Sequence, residues 1–355
     1  MIEEKLLDYI VKDTSDLKTL RSPKANFNFY KKTGLSIAWG KSFKEDPILY
    51  PSNDIMDIEV TVGCKGVRGK ICSYCYKCNS LDNIKLMSFD EFKHIIDISP
   101  RILSQIAIGA DATLELNPDL WKMMKYSRER DIIPNITAAD ISDEVADKLA
   151  QYCGAVAISY HGNKDACYDS IKKLTDRGMT QVNMHYVIMK ESLDETFEIL
   201  NDIKNDPRLK KLNSIVFLSL KTKGRGERFT PLTQKEFDSI VVKAYEEKIN
   251  IGFDSCSAFK ALNIFKRIGV NIEDCVWDCE STLTSFYVNV NSQAFPCSFT
   301  EGTEGWEEGI DLKEINSPEE YITKVWHNER IEEFRKKLLE TSKCGSCRTC
   351  PIYRV

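Results

Sequence analysis

Three cysteines constrain this chain more than any other feature. Between Asp57 and Ser80 the sequence runs Cys64, seven residues, Cys72, two residues, Cys75. Thiolates at a C-x2-C spacing, with one more a loop away, hold three corners of a cubane iron-sulfur cluster and leave the fourth iron open to a ligand that is not protein. The apolar alternation Ile58, Val60, Val62 runs into Cys64, so the loop leaves the C-terminal end of a strand, where barrel enzymes keep their active sites. A structural zinc site is the competing reading, because C-x2-C is also half of a zinc ribbon. Zinc requires a matching second pair, and here Cys78 offers at most one ligand, with no His before His94.

Around the last two of these cysteines, Cys72-Ser73-Tyr74-Cys75-Tyr76 resembles the C-x-Y-C-Y half of the motif in radical S-adenosylmethionine enzymes. The family's usual spacing is C-x3-C-x2-C, so the first gap here is four residues longer. The resemblance implies a 4Fe-4S cluster on Cys64, Cys72 and Cys75, with S-adenosylmethionine bound at the open iron and Tyr74 beside it. It further implies reductive cleavage of that cofactor to a 5'-deoxyadenosyl radical, which abstracts a substrate hydrogen. Lys65, Arg68 and Lys70 in the same loop read as charges that keep an exposed loop wet.

The chain has 355 residues, 42% apolar and 29% charged, enough for one large or two smaller globular domains. Net charge is -5 with no long basic run, so neither nucleic acid nor an anionic membrane is an expected partner. The opening MIEEKLLDYIVKD is too acidic and too poor in apolar residues for a signal peptide, and no window reaches the length of a membrane span. A cytoplasmic protein follows from this reading. In a reducing compartment thirteen cysteines point to metal rather than disulfides.

Residues 1–54 read as an N-terminal extension, with an amphipathic helix over 2–13 and a hairpin over 26–40 turning at Lys32-Thr33-Gly34. Beside the winged-helix leader-binding module of some peptide-modifying relatives this is short, and a packing extension is expected. From 55 to 257 strands and helices alternate. Strands fall at 103–108, 132–137, 155–159, 181–189, 214–220 and 249–253, and Ser88-Phe89-Asp90-Glu91 and Ser142 start helices. Six or so βα units in a row predict an α/β fold, a partial (β/α)6 barrel of parallel strands. The resemblance implies the same barrel, followed over 258–355 by a small cysteine-rich hairpin domain.

Several βα loops carry weaker matches. Gly109-Ala110-Asp111-Ala112 and the following Asn117-Pro118-Asp119-Leu120 resemble the family's Gly-Gly-Glu-Pro segment and the His-Pro-Asp-Leu after it, with Ala110 and Ala112 departing. By that resemblance Gly109 permits close backbone approach and Asp111 accepts from the cofactor's amino group. Ser159 stands where the family often has a ribose-binding Ser, and Asn183 is a further polar candidate. Each also reads as an ordinary core hydrogen bond. His161 and His185 read first as satisfied wall residues, His161 being the better functional candidate. Lys221 to Arg228, KTKGRGER, resembles a basic Gly-Arg-Gly loop of relatives; it either meets an acidic substrate group or is a solvated turn.

Toward the C-terminus the cysteines return as Cys275, Cys279, Cys297, Cys344, Cys347 and Cys350. The segment between Cys279 and Cys297 alternates like two strands turning at Asn291-Ser292-Gln293. A hairpin with a cysteine at each foot, joined by C-x2-C-x2-C, can build a four-thiolate site. It resembles the SPASM and twitch extensions that hold auxiliary 4Fe-4S clusters; Cys279-x12-Ser292-x4-Cys297 fits the SPASM opening except that Ser stands for Gly. The late part is short, which favours one auxiliary cluster on Cys279, Cys297, Cys344, Cys347 and Cys350, with zinc as the alternative.

Most relatives of this kind modify peptides, and that is the expected function. Oxidation or epimerisation of a sugar or aminoglycoside is the alternative, and a non-catalytic electron-transfer protein the third reading. A flavodoxin- or ferredoxin-type donor is the expected redox partner. Cys256 follows the last barrel strand without a close cysteine partner in sequence. It reads as a small buried residue, as the fourth ligand of the auxiliary cluster, or as a thiol that returns a hydrogen atom to a substrate radical.

Overall fold

The computed structural model describes residues 1–272 and 279–340. Its first layer is a five-stranded antiparallel sheet in sequential order, β1 (Ile2–Leu6), β2 (Tyr9–Asp13), β3 (Leu17–Arg21), β4 (Asn26–Tyr30) and β5 (Leu35–Trp39). The hairpin expected over 26–40 is β4–β5. The helix expected over 2–13 is instead the β1–β2 hairpin, turning at Leu7, whose φ is +53°. Over so short a stretch, Leu6, Tyr9, Val11 and Asp13 satisfy either periodicity, and burial of alternate residues along β2 decides for strand. The buried Lys18 fastens this sheet to the barrel by donating to the Leu103 carbonyl at 2.6 Å. Burial pushes its pKa down to about 8, against the opposing pull of Asp13.

A ten-stranded sheet forms the barrel. After β6 (Ile55–Glu59) a two-stranded ribbon, β7 (Thr61–Val62) and β8 (Lys85–Leu86), closes the base of the cysteine loop. The βα repeat then runs α1 (Phe89–Ile98), β9 (Gln105–Gly109), α2 (Leu120–Glu129), β10 (Ile133–Ala138), α3 (Asp143–Tyr152), β11 (Val156–Ser159) and α4 (Lys164–Asp176). It continues through β12 (Val182–Ile188), α5 (Leu193–Asn205), β13 (Ser214–Ser219), α6 (Gln234–Glu246), β14 (Ile251–Phe253) and α7 (Ala258–Arg267). The helix starts expected at Ser88 and Ser142 hold: Ser88 and Glu91 form a reciprocal capping box, and Ser142 accepts from the Val145 N–H. Each such cap stabilises its helix by about 1 kcal/mol.

Strand order is β14-β13-β12-β11-β10-β9-β6-β15-β16-β17, parallel from β14 through β15. Among the described residues β14 and β17 do not pair, so the barrel is partial. The C-terminal hairpin, β15 (Ser285–Val288) and β16 (Gln293–Phe295), lies beside β6 and continues the barrel sheet, with β17 (Ile310–Asp311) outermost. Behind it come α8 (Pro318–Glu320), a wide helical turn to Trp326, and α9 (Glu329–Glu340). Trp326 donates to the Tyr50 carbonyl at 3.0 Å and Tyr321 to Asn53 at 2.9 Å, tying the chain's end to the start of β6.

Outward-facing residues of the barrel strands are dry. Met56 and Ile58 of β6 are 0% and 1% exposed. Asp57 between them is exposed, as is Thr137 between buried Ile136 and Ala138 of β10. Alternate residues therefore face an open lumen instead of the packed layers of a closed barrel, yet the lumen is enclosed enough that desolvation raises the Asp57 pKa to about 7, with Glu280 adding to it. No helix among the described residues is long and apolar enough to cross a membrane.

Candidate active site

The cysteine loop leaves the C-terminal end of β6 through β7 and returns through β8. Its sharpest turn is at Gly66, with φ +76°, where a Cβ would stand 2.2 Å from the Lys70 carbonyl oxygen; only glycine fits. The Gly66 N–H points at Cys64 Sγ, 3.2 Å away. Cys64, Cys72 and Cys75 are all half-buried. Lys65 pairs with Glu115, and Arg68 lies 3.7 Å from Asp140. Both are exposed pairs that tether the loop to its neighbours and contribute little energy.

Within the Lys221–Arg228 segment Lys221, Lys223 and Arg225 are engaged by the protein, while Arg228 is exposed. Arg225 is turned onto the cysteine loop: Nε donates to the Cys72 carbonyl at 3.0 Å, Nη2 to the Asn79 carbonyl at 2.9 Å, and its N–H to the Cys75 carbonyl at 3.2 Å. Gly224 beside it, at φ +58°, allows the approach, since a Cβ there would meet Tyr76 O at 2.5 Å and Cys78 Sγ at 2.9 Å. Hydrogen bonds from a charged donor contribute about 1.5–3 kcal/mol each. Arg225→Met is therefore expected to leave the barrel folded while markedly reducing the iron retained by the cysteine loop. Iron counted after anaerobic desalting checks this, and unchanged iron would show that the clamp is dispensable.

Tyr74 joins the loop to the end of β11. Its hydroxyl donates to the Tyr160 carbonyl at 3.1 Å and shares a hydrogen bond with His161 Nδ1 at 2.9 Å. Burial lowers the His161 pKa to about 4, so the ring is neutral at physiological pH. Ser159, the last residue of β11, pairs in register with His185 of β12, and His185 too is lowered to about 4 by burial, against the pull of Asp254. Tyr74, Ser159, His161 and Gly109 thus gather at the C-terminal mouth around the cysteine loop.

Two candidates are placed otherwise. Asn183 is the second residue of β12, toward the opposite end of the barrel, where its Oδ1 accepts from Asn213 and Ser214, each at 2.8 Å. Its role there is a wall hydrogen bond. Asp111 sits just past β9 but is only 2% exposed. Its carboxylate is turned into its own loop, accepting from the N–H groups of Thr113, Glu115 and Leu116 and from the Thr113 hydroxyl. Shaping that loop is what this geometry gives Asp111: three of the bonds go to Oδ2 and one to Oδ1. Asn117 is likewise structural, bridging the Val60 and Met87 carbonyls at 2.8 and 3.0 Å.

A buried ionic network escaped the sequence reading. Lys77, two residues past Cys75, reaches Glu59 at the end of β6, Tyr287 Oη of β15 at 2.6 Å, and Glu301. Tyr287 donates to Glu59 at 2.9 Å, and Asn289 to Glu301 at 2.8 Å. A buried charge set of this kind persists only when fully paired, and here it fastens the cysteine loop to the C-terminal hairpin. Next to it the Tyr76 ring lies 4.6 Å from Phe299, one residue from Cys75 on one side and two from Cys297 on the other.

At the foot of that hairpin, Ser281 donates to the Pro296 carbonyl at 2.6 Å, bringing the chain near Cys279 against the chain near Cys297. Ser292 in the turn has φ +63°, the left-handed conformation that glycine adopts most cheaply; this is why the SPASM pattern has Gly there. Cys275, Cys344, Cys347 and Cys350 lie outside the described residues.

Cys256 follows β14 at the same mouth and is half-buried, unlike Cys153 and Cys167, which are buried among apolar side chains. The Lys221 ammonium bonds to its side chain and lies 3.5 Å from Asp254 and 5.2 Å from the centre of the Phe299 ring.

Residues 279–351 match the SPASM family, an iron-sulfur cluster-binding domain. Among solved structures the fold is similar to that of Streptococcus suis SuiB bound to S-adenosylmethionine, with TM-score 0.61 and 14% identity over 84% of this chain and 71% of SuiB. A second match is BtrN in complex with AdoMet and 2-DOIA, also 14% identical, covering 84% of this chain and 93% of BtrN, at TM-score 0.42. No curated protein sequence matches the chain. The described residues thus form a partial parallel barrel with three thiols on a braced loop at its mouth. The barrel shares its fold with SuiB, and the region after it is a SPASM iron-sulfur cluster-binding domain. The SPASM match also decides the C-terminal cysteines for iron-sulfur over zinc.

Proposed function

We propose that this chain is a radical S-adenosylmethionine enzyme with a SPASM extension that modifies a peptide substrate by inverting a stereocentre, with Cys256 as the hydrogen donor. The observation that carries the reading is the half-buried thiol of Cys256 beside Lys221, at the mouth that also holds the cysteine loop. A cysteine kept merely as a small core residue would be buried like Cys153 or Cys167. The exposed lumen positions Asp57 and Thr137 support a substrate that reaches deep into the barrel.

When bound, the cluster and S-adenosylmethionine supply a carbon-centred radical that abstracts hydrogen; the cofactors carry the hard chemistry. Cys64, Cys72 and Cys75 would hold the cluster, and Arg225 fixes their loop. Tyr74, Ser159 and Gly109, at the same mouth, would contact the nucleoside and methionine parts of the cofactor. Neutral His161 holds Tyr74 in place. Cys279 and Cys297, with two of Cys344, Cys347 and Cys350, would hold a single auxiliary cluster, and a flavodoxin- or ferredoxin-type protein would deliver electrons.

The test uses anaerobically reconstituted enzyme, S-adenosylmethionine, reductant and a panel of short synthetic peptides, in deuterated water. An inverted centre gains one deuterium, because a thiol exchanges its hydrogen with solvent. Cys256→Ala is expected to keep cofactor cleavage yet yield no deuterated, inverted product. Equal product from that variant would remove the donor role. A crosslinked peptide lacking two hydrogens would replace epimerisation by bond formation, and turnover of an aminoglycoside instead of any peptide would replace the substrate class.

A further inference from the structure

Cys256 does not stand alone at the barrel mouth. Lys221, just past β13, is 7% exposed, an unusual place for a lysine. Asp254 lies 3.5 Å from its ammonium, and the Phe299 ring covers it at 5.2 Å. Its remaining partner is the Cys256 side chain. Asp254 is itself held by Ser257, whose hydroxyl donates to its carboxylate. Among the described residues, four titratable side chains face this thiol or its neighbours: Lys221, Lys260 at the start of α7, Asp254, and His185 across on β12. His185 is neutral, so two ammonium groups stand against one carboxylate.

We propose that Lys221 is a positioning residue for Cys256: its buried ammonium, anchored by Asp254, favours the thiolate and so resets the thiol after each hydrogen transfer. The proposal rests on the donor reading above. The physical reason is that a fixed cation near a sulfur lowers the free energy of the charged form, and burial strengthens the effect. Burial works against Lys221's own charge, but Asp254 and Cys256 outweigh it, and its pKa lies above the ordinary lysine value. The ammonium therefore stays charged throughout the neutral range.

In the step itself, the Cys256 S–H bond breaks homolytically and the hydrogen joins the substrate carbon radical, leaving a sulfur radical. One electron from a ferredoxin- or flavodoxin-class donor reduces that radical to thiolate, which Lys221 stabilises. A proton from water then restores the thiol. No atom is left over, and the exchanged proton explains why the new hydrogen comes from solvent.

The experiment reads the thiol directly. Anaerobic holoenzyme is pulsed with iodoacetamide across a pH series, and alkylation is followed on the peptide that contains Cys256. The midpoint is expected to lie lower in the unaltered enzyme than in Lys221→Met by about one pH unit or more, and Lys221→Arg should restore it. A merely structural lysine would not move this profile when the variant keeps its circular dichroism and iron content. An unchanged midpoint in Lys221→Met overturns the proposal, and so does a Cys256 that no pH renders alkylatable, which would mark it as a cluster ligand. Solvent-deuterium incorporation, compared in parallel between the unaltered enzyme and Cys256→Ala, reads the donor role separately. Incorporation that depends on Cys256, with no midpoint shift in Lys221→Met, sinks Lys221 alone; a midpoint shift with incorporation that persists in Cys256→Ala sinks the donor reading.

Discussion

Replacing Cys64, Cys72 and Cys75 together with alanine is expected to abolish 5'-deoxyadenosine formation while leaving the fold and the auxiliary cluster in place. The three side chains are half-buried on a loop held by the Arg225 bonds, the Lys77 network and the β7–β8 ribbon, so losing three sulfurs removes no part of the barrel core. Iron should fall from about eight to about four per chain by cluster stoichiometry. Among the described residues the remaining cysteine of the loop, Cys78, is exposed, and one thiol does not replace three. A triple variant that still makes 5'-deoxyadenosine at the original rate would show that a different set of cysteines holds the cluster.

The complementary change is at the hairpin. Substituting Cys279 and Cys297 with alanine is expected to remove about half the iron, by the same stoichiometry, without stopping cleavage of S-adenosylmethionine in the absence of substrate. The two cysteines stand at the feet of β15 and β16, whose attachment to β6 and whose Ser281–Pro296 bond do not involve their sulfurs. Some loss of product formation should accompany the change, since Phe299, two residues beyond Cys297, covers both Tyr76 and Lys221. Stoichiometric zinc in protein purified without air would contradict the auxiliary iron-sulfur assignment.

Much of this architecture was legible because its elements announce themselves locally. Capping boxes at Ser88 and apolar runs such as 155–159 have one physical solution each, and their repetition implies parallel strands. The N-terminal helix failed where the signal was too short to separate two periodicities. Asn183 failed for a different reason: its place near the start of a predicted strand already put it away from the C-terminal mouth, and polarity alone had made it a candidate. Asp111 was read by its motif, whereas the donors that occupy it are backbone N–H groups of its own loop, which no side-chain pattern displays. Arg225 was hidden in the same way, since its partners are carbonyls of Cys72 and Asn79. In the Glu59–Lys77–Tyr287–Glu301 network the Tyr287–Glu59 bond alone joins residues 228 positions apart, and the docking of β15 beside β6 brings them together.

The central claim is that the Cys64, Cys72 and Cys75 loop carries a cluster with one iron open to S-adenosylmethionine. Electron paramagnetic resonance of the dithionite-reduced, anaerobically reconstituted protein tests it most directly when recorded with and without S-adenosylmethionine, alongside assay of the same samples for 5'-deoxyadenosine. The account predicts that one of two cluster signals shifts on cofactor addition, that the shift disappears in the triple alanine variant, and that 5'-deoxyadenosine accumulates only where the shift is seen. A reduced spectrum indifferent to S-adenosylmethionine, with no 5'-deoxyadenosine formed, would contradict it.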